Sequence, residues 1–158
     1  METTQEIKED ALNFLTAHTV ATLATISPAH KPHAATIYAH VEPDFCFYFI
    51  VKTKTSKYEN MQQEPHVAIV VTDESAVTTV QAEGRVEFIT NQEKITRIRE
   101  SIAKLAQKNT PWPPPVDQMK EGEYVVCKIT PFWLRYANFK NQPSTDTQHY
   151  QHFHQIIP

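Results

Sequence analysis

The cleanest alternation of apolar and polar positions runs from Thr79 to Ile89. Val80, Ala82, Val86 and Phe88 share one face. Thr79, Gln81, Glu83, Arg85 and Glu87 share the other, the period-two pattern of a half-buried strand. Gly84 interrupts the apolar face, which in so long a strand predicts a bend or bulge. Two stretches follow the helical period instead. Thr3-Thr4-Gln5-Glu6 reads as a capping box ahead of Ile7, Ala11, Phe14 and Leu15, predicting a first helix of about three turns. Thr90-x-x-Glu93 opens a longer helix with Ile95, Ile98, Ile102 and Leu105 as its apolar stripe, and TPWPPP stops it.

The remaining apolar runs are short and rich in β-branched residues. TVATLATIS after His18 reads as a strand, Pro28 to Lys31 as a turn, and PHAATIYAHVE as the returning strand. Glu42-Pro43-Asp44 turns the chain into CFYFIVK, and Ser56 opens a short helix. HVAIVVT reads as a buried strand from its continuous apolar run. YVVCKI and FWLRYANF, separated by Thr130-Pro131, read as the last two strands. Strands that follow one another with few helices between them predict a mainly β (α+β) fold. The expected form is antiparallel, of about six to seven strands with peripheral helices, rather than a doubly wound parallel sheet.

The chain of 158 residues suits one compact domain. We place that domain at residues 1–139. Residues 140–158 turn polar, rich in Gln, His and Thr, and read as a loose tail or an arm packing on a partner. A net charge of −3 gives no broad field for nucleic acid or an anionic membrane. No apolar run approaches the roughly 18 residues of a membrane span, and METTQEIKED lacks the apolar core of a signal peptide. Cys46 and Cys127 lie far apart in apolar strands and read as buried thiols. A cytoplasmic protein is the expectation.

Only two glycines occur, which excludes the glycine-rich dinucleotide and P-loop sites. The basic cluster Lys52, Lys54 and Lys57 stands out in an acidic chain. It puts positive charge, hydroxyls and free N–H groups at a helix start, with Ser56 as the cap, which suits a phosphate. A solvated turn whose lysines guard a sheet edge fits the same residues. The polar face at Thr79 and Gln81 could bond a heterocycle's carbonyls and ring nitrogens, or face solvent. His149, His152 and His154 sit in the polar tail, which lacks the rigid frame a metal site needs, so no metal is expected. His33 and His40 flank the second strand. Glu83 and Glu87 stand about 13 Å apart by strand rise, too far for a carboxylate dyad.

In order, ATLATISPAHKPHAATIYAHVEPDFCFYFIVKTKTSKYENMQQEPHVAIVV and then TTVQAEGRVEFI resemble the pyridoxamine 5'-phosphate oxidase-like, FMN-binding split-barrel superfamily. The likeness is strongest to its short general-stress-protein-like members. It covers roughly His18 to Asn138, and its motifs are specific for the fold more than for any one reaction. The resemblance implies an antiparallel split β-barrel and a homodimer with FMN at the interface. It implies a phosphate held by Thr53, Ser56 and Lys57, beside Val51 and Lys52. The flavin ring would lie along Thr36, Ile37 and Tyr38. The partner subunit would contribute groups at Thr79, Gln81 and Arg135 or Tyr136. The arginine and lysine of the second strand in true pyridoxamine phosphate oxidases become Ala35 and His40 here. The family's Ser-Arg-Lys becomes Thr55-Ser56-Lys57, and a C-terminal Arg-Leu-x-Pro is replaced by QIIP. The expected function is therefore an FMN-dependent oxidoreductase of another small molecule, with no assigned acid or base. The alternative is a non-catalytic flavin- or haem-binding protein for storage, sensing or trafficking.

Overall fold

The structure, a computed structural model, describes residues 4–109, 119–140 and 153–158. Three helices and eight strands follow in the order α1 (Thr4–Ala17), β1 (Val20–Ile26), β2 (Pro32–Tyr38), β3 (His40–Val41), β4 (Phe47–Lys52), α2 (Ser56–Gln63), β5 (His66–Asp73), β6 (Thr78–Ile89), α3 (Gln92–Asn109), β7 (Tyr124–Asn138) and β8 (Phe153–Ile157). The strands form one antiparallel sheet in the order β2-β1-β5-β6-β7-β4-β3, with β8 added beside β7. The sheet curls into a half-barrel. Its end strand β2 approaches β4, the strand beside the other end, within 8 Å between Cα atoms without pairing. This is the split antiparallel barrel expected of the sequence.

The strand count differs from expectation for three physical reasons. The segment PHAATIYAHVE is two strands, because Ala39 donates its N–H to Thr19 O and the chain changes partner there. Before Ala39 it pairs with β1, and after it with β4. YVVCKI and FWLRYANF form a single strand, β7, which runs through Thr130-Pro131. A register shift sits at Glu83/Gly84, where Glu83 faces Trp133 and Gly84 faces Pro131, so Phe132 is the extra residue of a bulge. A bulge is a place where a proline's missing N–H does no harm to the ladder. The eighth strand, Phe153–Ile157, returns onto β7 of its own chain.

The inside of the half-barrel holds the main core, with Leu23, Phe47, Phe49, Val51, Ile69, Val71, Val80 and Ile129 all buried. α1 closes it with Ala11, Phe14 and Leu15, and α2 adds Met61. α3 covers the outer face of β4 and β7, burying Ile98 and Ile102 against Cys46, Tyr48 and Val126. β4 is therefore buried on both faces, which is why CFYFIV reads as an unbroken apolar run. β5 is different. Its burial alternates, and Ala68 is exposed and Val70 half-buried on the far face, so its continuous apolar run does not mean burial on both sides.

Helix starts depart from the sequence reading by one residue. Asn91, not Thr90, caps α3, with its Oδ1 accepting from the N–H of Lys94 at 2.9 Å. Thr55, not Ser56, is the N-cap of α2. Thr3 of the first capping box, the TPWPPP run, His149 and His152 lie outside the described residues.

Candidate functional site

The gap between β2 and β4 is a concave pocket of about 220 Å³. β2 supplies Thr36, Ile37 and Tyr38 to its wall, and β4 supplies Ile50, Val51 and Lys52. Thr55 and Lys57 close one end, and Ile102 and Met119 complete the lining. β2 ends the sheet, so half of its backbone N–H and C=O groups are left unpaired along this gap.

Local chemistry sets the charged end. β4 stops at Lys52, and Thr53 N–H bonds instead to Glu123 O at 3.0 Å. Thr55 adopts an extended conformation, with φ −133 and ψ 149. Its hydroxyl turns back to donate to Lys52 O at 2.8 Å, so it caps no helix N–H. Tyr58 and Glu59 both direct their N–H groups to Thr55 O. The N–H groups of Ser56 and Lys57 meet no acceptor among the described residues. Two open donors, a helix N-terminus and two lysines thus converge on one end of the pocket, with no carboxylate in its lining.

Six of the ten residues expected from sequence line this pocket: Thr36, Ile37, Tyr38, Val51, Lys52 and Lys57. Thr53 and Ser56 flank it. The Thr53 hydroxyl is directed at Glu123 O, 3.4 Å away. Thr55, Ile50, Ile102 and Met119 were not anticipated. Ile50 shares a strand face with Lys52 and was within reach of a parity argument. Ile102 and Met119 arrive through tertiary packing, for which local sequence carries no signal.

Thr79 and Gln81 lie elsewhere. A broader hollow of about 450 Å³ occupies the outer face of β1, β5, β6 and β7. Its rim carries Gln81, Glu83, Trp133 and Arg135, and its floor includes Ala24, Ala68 and Val70. Gln81 and Arg135 are cross-strand partners, and Arg135 Nη2 donates to Gln81 Oε1 at 2.7 Å. The guanidinium carbon lies 4.2 Å from the Phe153 ring centroid and 5.2 Å from that of Trp133. Arg135 Nε is buried and has no acceptor in this chain's described residues. Thr79 faces a separate apolar hollow beside Val77 and Phe139, and its hydroxyl donates to Val71 O at 3.2 Å. Within one chain, then, the two polar groups of β6 stand apart from the lysine pocket.

The other titratable groups are structural in their surroundings. Burial holds the His40 imidazole below its ordinary value, and burial pushes the Tyr48 phenol up to about 12. Glu42 beside them pairs with Arg97 at 2.6 Å. The His18 ring bridges Phe14 O at 2.8 Å and the Asp73 carboxylate at 2.9 Å. Buried Asn60 donates to the Thr25 hydroxyl at 2.9 Å and lies 3.2 Å from His33 Nδ1. Burial pushes the Cys46 and Cys127 thiols up, which makes both poor nucleophiles. Among the described residues no group of three or more His, Cys, Asp or Glu side chains could hold a metal ion. No helix among the described residues is long and apolar enough to cross a membrane.

Comparison with known proteins agrees with this fold. The fold is similar to that of a conserved hypothetical protein from Mycobacterium tuberculosis, with a TM-score of 0.71 and 24% identity over 88% of this chain and 90% of that one. It is similar to General Stress Protein 26 from Bacillus anthracis, at TM-score 0.64 and 17% identity over 82% and 92% of the two chains. ChuZ from Campylobacter jejuni matches at TM-score 0.72 and 12% identity, over 87% of this chain and 57% of that one. Likeness at these identities establishes the fold alone. No curated protein matches the sequence. The family model for pyridoxamine 5'-phosphate oxidase matches residues 7–138, most of the chain including both pocket walls. The chain belongs to the pyridoxamine 5'-phosphate oxidase family.

Proposed function

We propose that the chain is a homodimeric FMN-binding oxidoreductase acting on a small molecule. The observation that carries this is the convergence of Lys52, Lys57 and the open N–H groups of Ser56 and Lys57 on one end of the split. That donor set fits a phosphate monoester. The unpaired edge of β2 at Thr36 to Tyr38 offers alternating donors and acceptors that suit a flat heterocycle. The pocket of one chain, about 220 Å³, is smaller than the roughly 300–1,000 Å³ of complete ligand sites. A second wall is needed, and the Gln81–Arg135 pair of another copy supplies polar groups suited to it.

Bound FMN would supply the redox chemistry, taking up and returning a hydride. The chain's own residues bind and orient. Lys52 and Lys57 neutralise the phosphate, the first turn of α2 donates to its oxygens, and β2 fixes the ring edge. Ile37, Ile50 and Ile102 exclude water from one side. No side chain in the lining is an evident acid or base, and hydride transfer to a flavin needs none. Pyridoxamine phosphate oxidation itself is not proposed, because Ala35 and His40 carry no permanent charge where the oxidases resembled here carry arginine and lysine.

Titration with FMN tests the reading. The protein should become yellow, with bands near about 375 and 450 nm that come from the flavin. Lys57→Ala should weaken FMN binding about tenfold, the cost of one charge-assisted contact. A protein that stays colourless after FMN is added overturns the proposal. A Soret band near about 400 nm in its place would transfer the site to haem.

A further inference from the structure

We infer that Asn60, on α2, is a positioning residue for the phosphate end of the pocket, acting with Thr25 and His33; this rests on the FMN reading above. Asn60 is 2% exposed, a polar side chain buried in an eight-residue helix. An amide so placed costs stability unless its donors are used. Its Nδ2 carries two N–H donors. It donates to the Thr25 hydroxyl at 2.9 Å and stands 3.2 Å from His33 Nδ1. Thr25 and His33 are cross-strand partners on β1 and β2. One side chain of α2 thus spans two neighbouring strands of the sheet.

That clasp sets the direction in which α2 points its donors. Ser56 and Lys57 stand four and three residues before Asn60, the spacing of neighbours on one helix face. Anchoring Asn60 to the sheet therefore fixes the rotation of α2 about its axis. The aim of the open N–H groups of Ser56 and Lys57 follows from that rotation. A helix this short takes its orientation from tertiary contacts. Its apolar anchors are Met61, buried in the main core, and Tyr58, whose ring lies 5.4 Å from that of Phe88. Such contacts hold depth and carry little direction, and a thioether adapts to its surroundings. Among the described residues, Asn60 makes the side-chain hydrogen bonds that tie α2 to the sheet. The same clasp reaches the opposite wall. His33 lies on β2 three residues before Thr36, about 10 Å along the strand. The donors for the phosphate and the strand edge for the ring are thus set relative to each other through one amide.

The test is a pair of titrations, with FMN and with riboflavin, which lacks the phosphate. Wild type, Asn60→Ala, His33→Ala, the double variant and Lys57→Ala are compared, with thermal melts to verify folding. Asn60→Ala should lose FMN affinity by about 10- to 100-fold, the effect of misaimed donors, and leave riboflavin affinity unchanged. His33 is exposed, so His33→Ala removes half of the clasp without opening the core. It should weaken FMN about two- to tenfold, again with riboflavin unchanged. The double variant should bind no worse than Asn60→Ala, because both act through one contact. If Asn60→Ala binds FMN as wild type does while Lys57→Ala is weakened, the inference falls and the FMN reading stands. Equal loss of FMN and riboflavin would make Asn60 a structural residue and also overturn the inference. Should Asn60→Ala fail to fold, His33→Ala decides, and wild-type FMN affinity in that variant overturns the inference. If the wild type binds neither flavin, the FMN reading fails and takes the clasp's role with it.

Discussion

Gly84 marks the point where β6 and β7 change register, and its neighbours leave no room for a side chain. A Cβ there would stand 2.6 Å from Ile129 Cγ2, 2.6 Å from Thr130 O and 3.0 Å from Pro131 Cα. Two of these are backbone atoms, which cannot rotate away. Gly84→Ala should destabilise the fold by about 1–3 kcal/mol or more, in the manner of an overpacked core, and chemical denaturation measures it. The sequence signal at Gly84 was correct in kind. The bulged residue itself, Phe132, was hidden, because Thr130-Pro131 reads locally as the end of a strand. Phe132 is 50% exposed as a result, thrown out of the pleat toward His66. The same limit applies to Ile102, which reads as part of the α3 stripe, while its place in the pocket wall exists only in the folded chain.

Elements are tied together by a few polar clasps, and one has a calculable pH response. Asp73, at the end of β5, accepts from the Ser75 hydroxyl at 2.7 Å and from the N–H groups of Ser75 and Ala76. It also holds the His18 ring at the end of α1, 2.9 Å away. The hydrogen bonds from Ser75 and Ala76, with that from His18, bring its pKa down to about 2 from 3.8. A carboxyl with a depressed folded-state value contributes stability in full above its unfolded value and loses it as pH falls through the folded one. Thermal stability should therefore decline between about pH 4 and pH 2. Asp73→Asn should flatten that part of the acid limb in a melting series run against pH. At this scale the sequence was most readable where burial is one-sided. β6 alternates as its residues do, and α3 buries the stripe at Ile98 and Ile102. It was least readable for β3, two residues long, and for β8, whose FHQII follows a polar stretch with no turn signal to announce a strand.

For the whole molecule, the outer face of β1, β5 and β6 is the surface to perturb. Ala24, Ala68 and Val70 form an apolar floor there, beside Gln81 and Arg135. In the dimer we propose, this face meets the partner. Ala68→Glu should then shift the protein from dimer to monomer in size-exclusion chromatography with light scattering, and weaken FMN binding by at least tenfold. A variant that remains dimeric with full affinity would place the interface on another face. One further property follows from the handover at Ala39, where a single segment leaves one end of the sheet and joins the other. The pocket walls come from residues 36–38, 50–57, 102 and 119, and no local stretch of chain contains them. Contacts so distant in sequence are assembled only once the ends of the sheet have been laid down. A ligand in the split has nothing to recognise in the unfolded chain, so its binding energy falls wholly on the native state. At one hundred times its dissociation constant it would add about 2.7 kcal/mol to unfolding stability, and the melting temperature becomes a direct gauge of occupancy.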